Sequence, residues 1–333
     1  MSSPGSSTTS KATRPGQAKG LRDRLGWWWQ APVGVLVLSI LVVMLTVITF
    51  GATRPNTGNP PSPGSSTSPE PIGLPTALVS APQLSPAPVL PELTAAIERL
   101  EQKYDVLIGL TLSQVAQPLR HDQDTWYGGR LRGGQAFATI DVPMALAVLG
   151  DARQPQQRDY LFNKALADDS AAADDALWAF LGSGEQAADK TTRALQSFGD
   201  WRTLVPSESQ ANSEAPYLDT QWALDAQSRL AGAMLCDFVK VHPVLSKMND
   251  PAESAWGLQV QPLSYSKGGW GRAVNGDTLV RQFGIMRLAD GTEVGIAMAA
   301  SYASPDPEIG KGALTELATS VRKTARGIEP AHC

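Results

Sequence analysis

The distribution of apolar positions divides the chain into an N-terminal region that cannot build a core and a longer region that can. Ala31–Phe50 reads APVGVLVLSILVVMLTVITF without a charged side chain, and about twenty such residues are what a helix needs to cross roughly 30 Å of hydrocarbon. Residues 51–90 are rich in Pro, Ser, Thr and Gly, so they bury too little apolar surface to fold. Residues 91–333 are therefore the predicted folded domain.

Within the predicted domain, the spacing of apolar residues changes from helical to strand-like along the chain. Helical spacing predicts helices at Pro91–Tyr104, Val142–Gly150, Ala171–Leu181, Trp222–Lys240 and Lys311–Arg326. Strand-like runs occur at Val106–Val115, Thr278–Leu288 and Glu293–Ser301, with an Asp290-Gly291 turn between the last two. An early strand, a helical middle and a late strand pair predict an α+β fold with one antiparallel sheet.

The flanks of the long apolar run predict how it is oriented. Residues 1–30 carry five basic residues against Asp23, a net charge of +4, and three tryptophans stand just before the run. Cytoplasmic flanks of membrane helices are basic, and indole rings favour the membrane–water boundary. The alternative is a cleaved signal peptide, but the apolar run is longer than the usual 7–15 residues and no clear A-x-A site follows it. We expect a single-pass plasma-membrane protein with a cytoplasmic tail (1–30), a transmembrane helix (31–50), a disordered stalk (51–90) and an extracytoplasmic domain (91–333).

The net charge and the small number of histidines and cysteines argue against several classes of function. The chain has a net charge of −4, so the part beyond the +4 tail stands at −8, which argues against nucleic acid as a partner. The three histidines and two cysteines show no metal-ligand spacing, and we predict neither a metal nor another cofactor.

In an oxidising exterior Cys236 and Cys333 would form a disulfide, the interpretation we favour. The alternative is a buried Cys236 and a free thiol at Cys333.

Four segments of the domain carry a resemblance to a known family. They are Phe137–Leu149 (FATIDVPMALAVL), Leu166–Gly182 (LADDSAAADDALWAFLG), Tyr217–Leu235 (YLDTQWALDAQSRLAGAML) and Trp256–Gly271 (WGLQVQPLSYSKGGWG). In this order they resemble the serine β-lactamase and penicillin-binding superfamily, in particular class A β-lactamase-like envelope proteins of actinobacteria. The resemblance implies a class A β-lactamase-like fold, in which an antiparallel sheet is flanked by helices and joined to an all-helical subdomain.

The first segment lacks the residues on which the chemistry of this family depends. The family uses a serine one helical turn before a lysine, whose amine helps to remove the hydroxyl proton. Aligned on the following Val-Pro, the serine position is Ala138 and the lysine position is Asp141. A methyl group cannot attack a carbonyl carbon. Thr139 is adjacent, but its partner three residues on would be Val142, so a shifted register restores nothing.

The second segment is also degenerate. Where the family has Ser, Asp and Asn, this chain has Asp169, Ser170 and Ala171. The alternative interpretation is a loop leading into a helix, with Ser or Asp as its N-cap. The family further carries a glutamate that activates water, and Glu208 and Glu214 are the candidates here. Neither lies in the family's local pattern, so we expect both to be solvated loop residues.

The third segment retains the shape of the family's K-[ST]-G strand. Lys267, Gly268 and Gly269 occupy it, so the hydroxyl that holds a substrate carboxylate is absent while the cation remains. The resemblance also assigns an oxyanion hole to the backbone N–H groups of Ala138 and Trp270, which do not depend on side chains. The alternative is an edge strand whose small residues serve packing alone. The candidate ligand-binding cleft comprises Ala138, Thr139, Ser170, Lys267, Gly268, Gly269 and Trp270.

These observations favour a pseudoenzyme, a β-lactamase-like domain without catalytic residues. We expect it to bind a cell-wall component or an envelope or membrane protein, because fold alone does not determine function. One alternative is a serine hydrolase or transpeptidase acting on peptidoglycan or β-lactams with a relocated nucleophile, for which Ser170 near Lys267 is the best candidate pair. A second alternative is a structural subunit of a membrane complex in which the transmembrane helix is the working element.

Overall fold

The structure is a computed structural model of the 333-residue chain, and it describes residues 90–118, 125–210, 215–248 and 255–333. The predicted cytoplasmic tail, transmembrane helix and stalk lie outside the described residues, apart from Leu90. In the part of the chain that is described, no helix is long and apolar enough to cross a membrane. The description below concerns the unit to which these residues belong.

A five-stranded sheet forms the centre of this unit. Its strands are β1 (Leu107–Gln114), β2 (Thr125–Gly129), β5 (Ser264–Arg272), β6 (Thr278–Arg287) and β7 (Glu293–Tyr302). Their order is β2-β1-β7-β6-β5, and every neighbouring pair is antiparallel. The prediction that the first strand joins the late hairpin in one antiparallel sheet is therefore confirmed. Two short strands, β3 (Gly133–Gln135) and β4 (Gln221–Ala223), form a separate antiparallel ribbon.

Helices cover both faces of the sheet. They are α1 (Pro91–Tyr104), α2 (Asp141–Gly150), α3 (Arg158–Leu166), α4 (Ala171–Leu181), α5 (Gly184–Ser197), α6 (Leu224–Cys236), α7 (Phe238–Met248) and α8 (Pro307–Thr324). One apolar cluster joins α1 and α8 to one face of the sheet. A second cluster joins the other face to α6 and to a helical subdomain built from α2 to α5 and α7. This arrangement confirms the α+β prediction.

Close packing of α6 against the sheet positions the residues beneath the candidate cleft. Gly295 of β7 faces α6, and a Cβ at this position would overlap the carbonyl oxygen of Ser228. Because Gly295 has no side chain, the backbones of helix and strand approach each other directly. Gln227, the neighbour of Ser228, is thereby held fully buried between the sheet and the helical subdomain.

The predicted helix Trp222–Lys240 is wrong, because that segment contains a strand and parts of two helices. Trp222 lies in β4, where it pairs with Gly134 of β3, and a short buried strand has the same apolar content as a buried helix segment. The helix then breaks at Asp237. The carbonyl oxygen of Asp237 accepts hydrogen bonds from the N–H groups of Lys240 and Val241, which begin α7.

The last helix begins earlier than its apolar spacing predicts. Pro307 is its first residue, and the Asp306 side chain caps it by accepting a hydrogen bond from the Glu308 N–H. Proline is favoured at this position because its missing N–H would have no partner inside the helix. The elements that the spacing did not predict at all are short or amphipathic with many polar residues, namely β2, β3, β5, α3 and α5. Of these, β5 was expected from the resemblance alone.

Cys236 and Cys333 form a disulfide, which confirms the pairing predicted from the sequence. Their Cα atoms lie 5.2 Å apart across a sequence separation of 97 residues. The C-terminal segment runs beside the end of β1, where the His332 N–H donates to the Val115 carbonyl oxygen at 2.9 Å. The disulfide therefore fixes the tail to the C-terminal end of α6.

Replacing both cysteines by serine should lower the free energy of unfolding by up to about 4 kcal/mol, because the unfolded chain regains the entropy of a long loop. Urea denaturation would measure this loss, and hydrogen exchange at His332 would report whether the tail has come free. Reducing the wild-type protein serves as the control and should give the same loss. A change below about 1 kcal/mol in both experiments would contradict a stabilising role for the bond.

Candidate functional site

The first motif segment folds as a 3₁₀ turn, Phe137–Ile140, that runs directly into α2. Ala138 lies in this turn, partly exposed, and its methyl group offers no nucleophile. Phe137 has a left-handed φ of 47°, a conformation that costs a non-glycine residue on the order of 1–3 kcal/mol. Its ring fills the space that a Cβ on Gly271 would need, and this packing helps to hold the strained turn.

Strand β5 lies directly beside this turn. A Cβ on Gly269 would come within 2.8 Å of the backbone nitrogen of Ala138, so only glycine permits this approach. Gly268 packs in the same way against the ring of Trp256. The Trp270 side chain remains 48% exposed. The structure therefore brings the backbones of Ala138 and Gly269 together, while strand alternation directs the Trp270 side chain to the opposite face of β5.

Lys267 lies in β5 with its side chain only 1% exposed. Its ammonium donates a 2.6 Å hydrogen bond to the Ala165 carbonyl oxygen and another to Asp169 Oδ1. It also lies 3.2 Å from Asp141 Oδ2. Two of its three N–H donors therefore make hydrogen bonds, and the contact with Asp141 is an ion pair without hydrogen-bond geometry. Burial alone would lower the pKa of Lys267, but Asp141 and Asp169 outweigh burial and raise it, so the amine stays protonated and cannot serve as a general base.

Asp141, which stands where the family has its lysine, is fully buried. Neither of its carboxylate oxygens accepts a hydrogen bond of ordinary geometry from the described residues. Burial raises the pKa of Asp141, and the charge of Lys267 partly opposes that rise. The opposite charges of Lys267 and Asp141 thus partly offset the cost of burying each other. The expectation that Lys267 offers a free cation to a ligand carboxylate is not met, since its ammonium is enclosed by acidic side chains of the protein itself.

Asp174, which the sequence analysis did not single out, adds a third carboxyl group. It lies in α4, 6% exposed, and its Oδ1 has no hydrogen-bond partner among the described residues. Burial raises the pKa of Asp174 to about 7, Lys267 acts in the opposite direction, and the charges of Asp169 and Asp175 add to the rise. Two carboxyl groups, those of Asp141 and Asp169, therefore contact the Lys267 ammonium, and the third acts on it only through its charge.

The second motif segment forms the turn that leads into α4. Asp169 has a left-handed φ of 52°, which short polar residues tolerate, and its carboxylate reaches Lys267 while remaining 67% exposed. Ser170 stands at the N-cap position, as the alternative interpretation expected, but its side chain makes no capping hydrogen bond. Ala171 is the first residue of α4. The segment thus supplies a carboxylate partner for Lys267.

Thr139 is buried and hydrogen-bonded, which excludes it as an exposed nucleophile. Its hydroxyl donates a 2.6 Å hydrogen bond to the Ala136 carbonyl oxygen and accepts one of 3.1 Å from Gln227 Nε2. Gln227 Oε1 in turn accepts a 2.6 Å hydrogen bond from Arg281. A chain of hydrogen bonds therefore connects the turn at Ala138 to strand β6.

Arg281 is fully buried in β6. Its guanidinium also donates to the carbonyl oxygens of Gly134, Gln135 and Trp222, at 2.7, 2.8 and 2.9 Å. It joins the β3–β4 ribbon to the sheet. Burial lowers the pKa of Arg281 to about 9, which leaves it charged at neutral pH.

The two candidate glutamates do not supply a water-activating residue in the described structure. The Glu208 carboxylate accepts hydrogen bonds from Trp178 Nε1 at 3.2 Å and from the Gly184 N–H at 2.8 Å. These contacts lower the pKa of Glu208, together with a bond from its own backbone N–H. Glu208 therefore fastens its loop to α4 and α5. Glu214 lies outside the described residues.

Two of the residues that the sequence analysis missed have a signal in the sequence. Asp174 shares one helical face with Leu177, Trp178 and Leu181, and an acid on an apolar face is a candidate for a buried charge. Arg281, followed by Gln282, interrupts the apolar run of an interior strand, where an unpaired charge is costly. Among the described residues, no group of three or more His, Cys, Asp or Glu could hold a metal ion.

Lys267→Met should destabilise the protein by about 3–5 kcal/mol, because it leaves the buried Asp141 without its ion-pair partner. The double variant Lys267→Met/Asp141→Leu should recover most of that loss, since an apolar pair of similar volume tolerates burial. Asp141→Leu alone completes the double-mutant cycle, measured by urea denaturation. Additive effects of the two substitutions would show that the ion pair carries no coupling energy.

Asp174→Asn should make the free energy of unfolding less dependent on pH. In the wild type the folded state retains the Asp174 proton up to about pH 7, whereas the unfolded chain loses it near pH 4. Stability contributed by this group is therefore lost as the pH rises from about 4 to 7. The free energy of unfolding of the variant, taken relative to that of the wild type, should therefore increase by on the order of 2 kcal/mol from pH 5 to pH 8. Asp159→Asn, which removes an exposed carboxyl group (71%), is the control, and equal pH profiles for Asp174→Asn and wild type would contradict the assignment.

Solved structures of known proteins share the fold of the described domain, although no sequence comparison finds a relative. No protein-family model matches the sequence, and no curated protein matches it. Solved structures do match. The TLA-1 extended-spectrum β-lactamase superposes with a TM-score of 0.55 at 15% identity, covering 70% of this chain and 98% of that one.

Two further solved structures agree with this result. A class A β-lactamase from Bacteroides cellulosilyticus has a TM-score of 0.53 at 12% identity, covering 70% of this chain and 98% of its own. A β-lactamase from Chitinophaga pinensis has a TM-score of 0.54 at 13% identity, covering 68% and 97%. The described domain therefore has a class A β-lactamase-like fold.

Proposed function

We propose that this protein is a membrane-anchored, catalytically inactive β-lactamase-like protein that acts by binding a component of the cell envelope. The observation that carries the proposal is the buried ion pair between Asp141 and Lys267. In an enzyme of this fold, the corresponding positions would hold two basic residues beside a serine. Here the position of the serine is Ala138, and the acid at 141 neutralises the cation that remains.

The same geometry argues against a hydrolase with a relocated nucleophile. Ser170 would need a neutral amine or another base to remove its proton. The Lys267 ammonium already contacts two carboxylates and a carbonyl oxygen, and its pKa is raised rather than lowered. A lysine in this state donates protons poorly and accepts none at neutral pH.

The cleft retains features that suit binding. The strained turn at Phe137 and the close approach of Gly269 to Ala138 are kept, so the main-chain shape persists without the nucleophile. Its exposed polar group is the Asp169 carboxylate. A carboxylate at this position suits an amine-bearing part of a wall component, or a basic protein surface, better than it suits a carboxylate ligand.

The location of the protein follows from its sequence. The basic tail, the uncharged run of residues 31–50 and the Pro-rich residues 51–90 support a domain held outside the plasma membrane. The disulfide between Cys236 and Cys333 is consistent with an oxidising exterior. In this proposal, the stalk carries the domain toward the cell wall.

Mass measurement after incubation with a penicillin should show no covalent adduct on the full-length protein, whereas a serine β-lactamase treated in parallel should be acylated. Sedimentation with purified peptidoglycan should carry the wild type down and leave Asp169→Asn in solution. Asp168→Asn, which removes the neighbouring exposed carboxylate, is the control. An acyl adduct would overturn the inactive assignment. Equal sedimentation of Asp169→Asn and wild type would overturn binding through the cleft, and absence of sedimentation would direct the search to protein partners.

A further inference from the structure

Negative charge is in surplus where β5 meets the helical subdomain. The Lys267 ammonium interacts with the charges of three carboxyl groups, those of Asp141, Asp169 and Asp174. Lys267 and Asp141 are buried, and Asp174 is only 6% exposed. With every carboxyl group ionised, three negative charges would stand against one positive charge, a net charge of −2. Such a charge away from water is costly, so the cluster favours the uptake of a proton.

Asp174 is the member of the cluster that takes up this proton. Asp169 is hydrogen-bonded to the ammonium and Asp141 lies 3.2 Å from it. Asp174 makes no such contact, and its Oδ1 has no hydrogen-bond partner among the described residues. Because attraction between charges falls with distance, Asp174 gains least from ionisation. Burial raises the pKa of Asp174 to about 7, so the net charge of the cluster changes between −1 and −2 near neutral pH.

The described titratable groups that interact with the charge of Asp174 come from several elements. They are Lys267 in β5, Asp141 in α2, Asp169 in the turn before α4, Asp175 in α4 and Tyr217 in a 3₁₀ turn. The helices α3 and α5, which also pack against α4, add none to this set in the described part of the chain. The Asp175 carboxylate accepts a 2.8 Å hydrogen bond from the Tyr217 hydroxyl. Lys267 is therefore the cation for which the remaining carboxylates compete.

Asp169 is the member of the cluster that can leave it at low cost. Its side chain is 67% exposed, so its carboxylate can turn into water. The backbone of its turn is held in place, because the Ser170 N–H donates to the Lys164 carbonyl oxygen at 3.0 Å. Rotation of a single side chain therefore opens the contact between Asp169 and Lys267, and no helix has to move.

We propose that Asp169 is a binding group under the control of a proton on Asp174. While Asp174 is protonated, Asp169 stays on Lys267. When Asp174 ionises, its proton goes to solvent, and repulsion between the two carboxylates releases Asp169 into the cleft, where it binds a primary amine. Such a ligand replaces a group of its own kind, because the partner that Asp169 leaves is an ammonium. The choice of ligand rests on the proposed function, whereas the release of Asp169 does not.

Carbodiimide labelling of the full-length protein in phosphatidylcholine nanodiscs measures the release without a ligand. Glycine ethyl ester is the nucleophile, and tandem mass spectrometry reads the labelled positions. Asp168, which is 42% exposed and paired with Lys164, corrects for the pH dependence of the reagent. From pH 6 to pH 8 the ionised share of a group with a pKa of 7 rises from about one tenth to about nine tenths. The ratio of Asp169 to Asp168 labelling should therefore rise at least about threefold.

Variants identify the group that controls the release. Asp174→Asn cannot ionise, so its labelling ratio should stay at the low value at both pH values. Asp159→Asn, which removes an exposed carboxyl group (71%), is the control and should behave as the wild type. Asp169→Asn supplies a second measurement. The charge of Asp169 raises the pKa of Asp174, so this variant should lose stability at a lower pH than the wild type. Thermal unfolding would verify that each variant is folded.

An unchanged labelling ratio in the wild type, or an equal rise in Asp174→Asn, would overturn the release of Asp169. Sedimentation with purified peptidoglycan tests the ligand separately. The wild type should bind at least about threefold more tightly at pH 8 than at pH 6, and peptidoglycan with acetylated amines should not bind. Equal binding of the acetylated material would overturn the amine as ligand. A rising labelling ratio without any sedimentation would refute binding to peptidoglycan and still support the release.

Discussion

The region around the candidate cleft depends on the neutralisation of one buried ammonium. Lys267 belongs to the sheet, while its partners Ala165, Asp141 and Asp169 belong to the helical subdomain. Its contacts therefore join the two parts of the fold beside the candidate cleft. Removing two charges from water is costly, so this joint is stable only while both signs are present. Asp141 and Lys267 are thus accommodated in the interior together.

A second set of contacts holds the backbone of the candidate cleft. Arg281 holds the β3–β4 ribbon and, through Gln227 and Thr139, the turn that carries Ala138. None of these groups needs a reactive side chain at position 138 in order to be satisfied. The backbone of the turn is consequently maintained by the interior of the protein and does not depend on the Ala138 side chain.

The sequence predicts the fold better than it predicts the site. Pro91–Tyr104 and Ala171–Leu181 are helices with the predicted bounds, because their apolar spacing is regular and their ends carry turn residues. Trp222 was assigned to a helix because its pairing with Gly134 is a tertiary contact that local spacing does not contain. Lys267 was expected to face a ligand because its enclosure by Asp141 is also a tertiary contact. Asp141 is more than a hundred residues away in sequence, and only the fold brings the two side chains together.

The ion pair also bears on which substitutions this site could accept. Changing Asp141 alone to lysine would place two ammonium groups in one buried site, and changing Lys267 alone to an apolar residue would leave the acid without its partner. Either single change is destabilising, and only a paired change keeps the buried charges balanced. The two positions should therefore covary: among sequences that share this arrangement, a change at one is expected to accompany a compensating change at the other.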